Sequence, residues 1–341
     1  MSDSNDPLVV ALLALVPAIV PGASRIAGLR RLSAGATLET WSFDATGDAA
    51  PGAGDALPVR HPLILRRSPG GLRSAESVPL AVEANLIRSL AGSGAPVPTV
   101  VHTLVPANSL GDGFLMTRIE GETIPRKILR DAVHAEVRPR LVEQFGAILA
   151  AIHRCDPKTL PALPTKPHFT VIDRLRCRQD SMARPSPFFE MALQWLKANE
   201  PAALTRLSLV HGDFRNGNLI IGPEGVRAVL DWEVAHLGDP MADLAWLCLP
   251  PWRFGRNELA VGGLGARETL FAAYESAGGE KVDPARVRFW EALGSLRWWM
   301  GCAGMLEWFS SGRDRSVERA MIARRVSESE LDFLRLMAGR N

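Results

Sequence analysis

LVHGDFRNGNLIIGPEGVRAVLDWE, Leu209 to Glu233, is the stretch from which the rest of the chain is read. A histidine, two aspartates and an asparagine sit here among glycines and apolar residues. A carboxylate taken out of water without a partner costs several kcal/mol or takes up a proton, so compensating charge has to reach this stretch from elsewhere. NLII and VRAVLDW have the composition of two short strands, and GPEG, with Gly222 and Gly225, is a four-residue turn between them. A hairpin brings the residue before its first strand and the residue closing its second to one end. Asn218 and Asp231, thirteen residues apart, hold those positions.

His211, Asp213 and Asn218 make H-x-D-x-x-x-x-N, and with Asp231 they have the order and spacing of a kinase catalytic loop and its metal aspartate. Phosphoryl transfer needs a carboxylate placed to take a hydroxyl proton. It also needs hard oxygen ligands from two loops to hold Mg2+ against nucleotide phosphates. Asp213 is the expected base, and Asn218 and Asp231 are the expected Mg2+ ligands. His211 belongs to the same catalytic segment, where holding the loop by hydrogen bonds is weighed above reacting. Glu233 is divided evenly between the metal's outer surroundings and an exposed strand end.

With 341 residues the chain has room for two domains or one large two-lobed unit. Hydrophobic residues make up 47% and charged ones 22%, a globular balance and not that of a disordered chain. Thirty-nine Lys and Arg stand against thirty-seven Asp and Glu, a net +2 without a long basic run, which argues against nucleic acid or an anionic membrane as partner. Cys155, Cys177, Cys248 and Cys302 are too scattered for a zinc site or a disulfide framework, and are expected as four buried free thiols in a reducing compartment. The apolar opening PLVVALLALVPAIVPG, Pro7 to Gly22, follows acidic residues and is interrupted by Pro17 and Pro21. It is too short to span a bilayer and reads as a helix packed on the fold of a cytoplasmic protein.

Gly28 to Thr46 has strand, turn, strand character around Ala34 to Thr37, Gly47 to Pro58 reads as a surface loop, and HPLILRRS, His61 to Ser68, as a further strand. AVEANLIRSLAGSG puts Val82, Leu86, Ile87 and Leu90 on one helical face, and PVPTVVHTLV and GFLMTRIEG are two more strands. From Thr123 on helical periodicity dominates, in EVRPRLVEQFGAILAAIHRC, PFFEMALQWLKANEPAAL, MADLAWLCL, ARETLFAAYESAG and the long segment from Pro284. Trp290, Trp298, Trp299 and Trp308 suit a core better than an acceptor pocket. Asp239, before Pro240, reads as a turn residue more than a substrate ligand.

LVHGDFRNGNLI, VLDWEVAHLGDPMADLAWL and AGATLETW together resemble the aminoglycoside phosphotransferase and choline kinase-like family, in the branch that includes the kinase-like domain of certain acyl-CoA dehydrogenases. The likeness runs from about Leu29 to Leu249. It implies an α+β, bilobal protein-kinase-like fold, with a small, mainly antiparallel β N-lobe bearing one key helix (residues 1–118) and a larger, mostly helical C-lobe (residues 119–341) for catalysis and acceptor binding. It implies ATP or GTP as phosphate donor. Gly35, Ala36 and Thr37 would cover the phosphates, Arg66 would stand in the place of the nucleotide-phosphate lysine with Glu83 as its ion-pair partner, and Met116, Thr117 and Arg118 would form the hinge that meets the adenine. Asp243 is implied as the brace of the catalytic loop. Two departures stand out. Arg66 is a planar fork where the family has a point charge, and the phosphate-covering turn has one glycine, Gly35, where the family often has two.

The expected function is therefore transfer of a γ-phosphate to a hydroxyl of a small metabolite. From Trp252 onward fourteen Lys and Arg meet twelve Asp and Glu, a poor match for a polycationic antibiotic. The branch resembled points instead to a hydroxyacyl thioester. RDRSVERAMIARR, Arg313 to Arg325, would suit coenzyme A phosphates, although the solvated face of a terminal helix explains it more simply. A nucleotide-binding pseudokinase or scaffold is the alternative that Arg66 leaves open. A protein kinase is disfavoured, because DWEVAHLGDPMADLAWL enters a helix about a dozen residues after Asp231 and leaves little room for a peptide-docking segment.

Overall fold

Residues 6–33, 38–47, 59–70, 77–182 and 185–339 are described by the computed structural model. After helix α1 (Pro7–Ile19), strands β1 (Arg25–Ser33), β2 (Glu39–Gly47), β3 (Val59–Ser68), β4 (Val100–Thr103) and β5 (Asp112–Thr117) form one sheet in the order β1-β2-β3-β5-β4. Every neighbouring pair is antiparallel. Successive strand side chains point to opposite faces, and that alternation decides the rest of this lobe. Leu63 and Leu65 of β3 and Leu115 of β5 pack with Leu8, Leu12, Leu15 and Val16 of α1. Ile64, Phe114 and Met116 turn to the other face and meet α2 (Leu80–Ser89). The register pairs Ile64 with Met116 and Arg66 with Phe114, so Arg66 lies on this second face.

The Asp6 carboxylate caps α1 by accepting from the Leu8 amide at 2.8 Å. The helix expected here continues through Pro17 and ends at Ile19. Only one hydrogen bond is forgone there, in the last turn of a helix whose inner face is already held by the sheet.

The remaining helices are α3 (Pro125–Arg130), α4 (Arg138–His153), α5 (His168–Asp180), α6 (Pro187–Ala198), α7 (Met241–Cys248), α8 (Arg267–Ser276), α9 (Pro284–Ser310), α10 (Val317–Ala323) and α11 (Val326–Met337). Between α6 and α7 lie two antiparallel pairs, β6 (Ser208–Val210) with β9 (His236–Gly238) and β7 (Leu219–Gly222) with β8 (Gly225–Val229). The result is the two-lobed α+β architecture that was expected. Sequence reading passed over α5, which buries only His168, Leu175 and Gln179 and so lacks a full apolar stripe. It also passed over β6 and β9, three residues each and too short to show a period.

Phe145, Leu149 and Ile152 of α4, Leu244 and Leu247 of α7, Leu270 and Tyr274 of α8 and Leu293 and Leu296 of α9 belong to one core. Trp290 and Trp299 are buried as expected, and Trp298 meets Trp252 edge-on with centroids 5.0 Å apart. Trp308 carries the guanidinium groups of Arg313 and Arg319 over its ring. The expectation of four buried thiols is corrected. All four are free, but only Cys248 and Cys302 are buried, Cys155 is half-buried, and Cys177 lies on the outward side of α5 and is exposed. Among the described residues no helix is long and apolar enough to cross a membrane.

α4 and α8 approach each other at Gly146. A Cβ there would stand 2.7 Å from the Tyr274 backbone nitrogen and 2.8 Å from the Leu270 carbonyl oxygen, neither of which can swing aside. Gly146→Ala is therefore expected to lower stability by roughly 1–3 kcal/mol, read in urea as a lower midpoint at unchanged m-value. An unchanged midpoint would show that the two helices part without cost.

Candidate active site

Asp243 on α7 is wholly buried, and three elements meet at its carboxylate. Oδ2 accepts from the His211 amide at 2.7 Å and Oδ1 from the Gly212 amide at 2.8 Å. His153, at the end of α4, contacts Oδ2 through Nε2 at 3.1 Å, and its Nδ1 meets the Tyr274 hydroxyl at 2.9 Å. A carboxylate only accepts, so Nε2 carries a proton, and Nδ1 shares its hydrogen bond with the tyrosine hydroxyl. Burial pushes the Tyr274 phenol up and keeps its hydroxyl protonated. Burial alone would raise Asp243 as well, but His153 and the loop amides more than offset it and hold the carboxyl below its usual value.

The loop that Asp243 holds runs from β6 to β7. His211 is fully buried, with its Nε2 donating to the Leu230 carbonyl at 2.9 Å and its Nδ1 accepting from the Asp213 amide at 3.2 Å. Both ring nitrogens are thus used to fix the loop, as weighed from the sequence. Gly212 has φ +81°, and a Cβ there would lie 2.9 Å from the Val234 carbonyl oxygen, so the turn before Asp213 requires glycine. The Asn216 side chain donates to the Gly262 carbonyl at 2.8 Å and ties the far side of the loop to the segment after α7.

Asp213 is left partly open, its side chain 23% exposed. Oδ1 accepts from the Trp246 indole at 2.8 Å and from Arg215 Nε at 3.1 Å, and Oδ2 accepts from the Asn218 amide group at 2.6 Å. The Asn218 nitrogen also donates to the Asp213 carbonyl at 2.9 Å. These bonds use the NH2 of Asn218 and leave its carbonyl oxygen, the atom a hard cation takes. Across the hairpin Asp231 has φ +65°, a left-handed conformation that aspartate adopts more readily than most side chains.

Arg66 closes the group from the N-lobe. Its Nη2 donates to Asp231 Oδ1 at 2.6 Å and lies 3.4 Å from Glu233 Oε2, while Nε lies 3.4 Å from Glu83 Oε1 on α2. Burial would lower the guanidinium pKa, but Glu83, Asp231 and Glu233 overcome it and hold Arg66 above its ordinary value. Arg66, Glu83, Met116, Asn218 and Asp231 border one cavity of about 290 Å³. Thr117 and Arg118 lie outside its lining. Thr117 Oγ1 accepts from the Thr99 amide, and Arg118 pairs with Asp44 and Glu120 at 2.9 Å each. Gly35, Ala36 and Thr37 lie outside the described residues.

Sequence reading missed Trp246, Arg215 and His153. Trp246 was legible, since it stands three residues after Asp243 and so shares its helix face. Arg215 is two residues from Asp213 and also stacks on Trp252 at 4.8 Å, a contact with no local signal. His153 lies ninety residues from Asp243. Asp239 is a turn residue as favoured, accepting from the Met241 amide at 3.0 Å, and it also receives Arg286 and the Trp290 indole in a buried cluster.

A two-lobed fold with this loop defines a phosphoryl-transfer enzyme. The phosphotransferase enzyme family model, APH, matches residues 30–290, and the chain belongs to that family, whose members pass phosphate to a hydroxyl acceptor. Among relatives, acyl-CoA dehydrogenase family member 10 of Mus musculus is 33% identical over 198 residues, 55% of this chain and 18% of that protein. Probable acyl-CoA dehydrogenase IBR3 of Arabidopsis thaliana is 27% identical over 305 residues, 80% of this chain and 36% of that protein. The chain thus spans well under two thirds of the length of these curated relatives. A solved structure of a putative aminoglycoside phosphotransferase from Ralstonia eutropha is similar with TM-score 0.74 and 22% identity, covering 96% of this chain and 98% of that one. A thermostable mutant of an aminoglycoside phosphotransferase, in ternary complex with AMP-PNP and hygromycin B, gives TM-score 0.60 and 19% identity over 94% and 98% of the two chains. These likenesses are of fold, and they show the bilobal kinase-like architecture.

Asp243 also sets a pH dependence. Because its folded pKa is lowered, its contribution to stability is complete above the unfolded value of about 3.9 and is lost as pH falls through the lower folded value. Asp243→Asn should therefore lower stability at pH 7 and flatten the loss of stability seen in the wild type below about pH 4. Parallel curves for the two proteins in urea titrations across that range would remove Asp243 as the source.

Proposed function

We propose that the chain transfers the γ-phosphate of ATP or GTP to a hydroxyl of a small metabolite, with residues 1–118 holding the nucleotide and residues 119–341 supplying the catalytic loop and the acceptor site. One observation carries the proposal. Arg66, Asn218 and Asp231 border a single cavity, and Asp213 is one 2.6 Å hydrogen bond from Asn218 at its edge. The ternary complex of the structural neighbour with AMP-PNP and hygromycin B supports a nucleotide donor and a small hydroxylated acceptor.

In this reading Asp213, oriented by Trp246, Arg215 and Asn218, aligns the acceptor hydroxyl and takes its proton. Arg66 is placed on the phosphates by Glu83. The Asn218 carbonyl and the Asp231 carboxylate are hard donors bordering one space, a set that fits Mg2+ completed by phosphate oxygens and water. When bound, that ion offsets charge on the phosphate oxygens. Among the described residues no three His, Cys, Asp or Glu side chains form a metal-holding group, and an ion shared with a nucleotide needs none. The direct Arg66–Asp231 contact favours a second reading, a nucleotide-binding pseudokinase in which the guanidinium occupies the cation's place.

The acyl-CoA dehydrogenase names of the relatives support a hydroxyacyl thioester as acceptor. The Arg313–Arg325 segment does not add to that support, because Arg319 pairs with Asp314 at 2.9 Å, Arg325 pairs with Glu328 at 2.8 Å and Arg313 rests on Trp308. A cytoplasmic setting is part of the proposal, supported by four free thiols.

Calorimetric titration with non-hydrolysable ATP and GTP analogues, with and without Mg2+, tests the assignment. Mg2+-dependent binding is expected in the wild type and lost in Asp231→Ala. Asp213→Asn should bind nucleotide nearly as well as the wild type, while transfer to a hydroxyl acceptor falls by about 10²–10⁴-fold. Full turnover in Asp213→Asn would remove it as the base. Mg2+-independent binding would favour the pseudokinase, and no binding to either analogue would overturn the donor.

A further inference from the structure

A second cavity, of about 230 Å³, reaches the catalytic loop at Gly212 and is walled by Trp246, the residue whose indole donates to Asp213. We infer that this is the acceptor site, and that it selects a short acceptor carrying an anionic group, a carboxylate or a phosphate, beside the hydroxyl. The inference rests on the phosphotransfer role of Asp213 and adds the class of substrate.

Charge carries the argument. Lys166, Arg174, Arg178 and Arg297 line the cavity, and no aspartate or glutamate does. They come from three elements, so one chance run of basic residues does not explain them. Lys166 is buried in the segment before α5, where its amide donates to the Leu237 carbonyl at 2.9 Å and ties it to β9. Arg174 and Arg178 are four residues apart on α5, a like-charge spacing that destabilises a helix unless something is gained from it. Arg297, on α9, lies with its guanidinium 4.8 Å from the Trp246 ring centroid, which holds a cation beside the partner of the base.

The three aspartates of the catalytic loop and the start of α7 are engaged elsewhere. Asp239 takes Arg286 and the Trp290 indole, Asp243 takes His153 and two loop amides, and Asp213 takes Trp246, Arg215 and Asn218. His236, also in the wall, donates from Nδ1 to the Val234 carbonyl at 3.0 Å. Burial pushes its pKa down to about 4, with Lys166 and Arg297 adding to the effect, so the ring is neutral near pH 7 and the cations set the field. Gathered cations with low-dielectric walls attract and concentrate anions and repel polycations. An arginine fork matches carboxylate and phosphate oxygens in pairs. The volume falls below the range of drug-sized sites, about 300–1,000 Å³, and so favours a short molecule.

Binding and transfer are measured separately on the full chain. The probes are short hydroxycarboxylates with the hydroxyl at each carbon, the matching hydroxyalkyl phosphates, and the amides and amino alcohols of the same lengths. At least one acid or phosphate should bind tenfold or more tightly than the matching amide or amino alcohol. Arg178→Gln, at an exposed position, and Arg297→Met should each weaken that binding about tenfold and raise KM more than they lower kcat. Whether the acid or the phosphate is preferred tells which source of the anion the site takes. Equal binding of acid and amide, no binding across the series, or indifference to both substitutions would overturn the proposal. Selective anion binding with no transfer from ATP or GTP would instead overturn the phosphotransfer reading and leave the anion site standing. Transfer to amino alcohols as fast as to acids would do the reverse.

Discussion

A carboxylate with no access to water holds this molecule's working parts in place. Asp243 would be costly to bury alone, and the fold answers that cost with donors from three directions: two loop amides, His153 and, behind His153, Tyr274. Because those donors belong to the catalytic loop, α4 and α8, satisfying one charge fixes the position of three segments distant in sequence. The same bonds aim the loop. With His211 and Gly212 pinned through their amides and the His211 ring spent on Leu230 and Asp213, the Asp213 side chain is the group left facing outward. The close contact of α4 with α8 at Gly146 belongs to this arrangement, since it sets the distance from His153 to Tyr274.

The N-lobe contributes its charge by a different rule. Strand alternation sends Leu63 and Leu65 toward α1 and Ile64 and Arg66 toward the cleft, so the place of Arg66 follows from pleat and register. Once there, the fork reaches three carboxylates on two segments, Glu83 on α2 and Asp231 and Glu233 after β8, which a lysine's single ammonium would do less well. Arginine in this position thus acts as a clasp between the lobes as well as a cation. That double use is why its contact with Asp231 bears on catalytic competence.

How much of this could be read from the sequence depended on whether the signal was local. The hairpin, the loop spacing and the order of Asp213, Asn218 and Asp231 lie within one short stretch, and each falls where the spacing put it. α2 and the long C-terminal helix announced themselves by periodic apolar residues. The failures share one cause. Cys177 is exposed because α5 offers only a thin buried face, and α5 itself went unseen for the same reason. Trp246 and Arg215 acquire their meaning only when α7 and the loop are side by side, and His153 only when α4 is brought against both. The hinge assigned by resemblance to the backbone of Met116, Thr117 and Arg118 is a separate matter: the pleat directs the Met116 side chain to the cleft, and the Arg118 side chain pairs with Asp44 and Glu120.

The two cavities beside the catalytic loop differ in charge, and the difference has a chemical consequence. The cavity proposed for the nucleotide mixes one arginine with Glu83 and Asp231, so a triphosphate would approach it only in company with further positive charge. The second cavity is lined by Lys166, Arg174, Arg178 and Arg297 and by no carboxylate. If both ligands are anions, their mutual repulsion is greatest where phosphate meets hydroxyl, beside Asp213. Arg215 stands at that point, bonded to Asp213 and stacked on Trp252, with Arg297 on the neighbouring Trp246. Two guanidinium groups fixed on aromatic rings keep positive charge at the junction without depending on mobile side chains, and less reorganisation is then needed when the two anions are brought together.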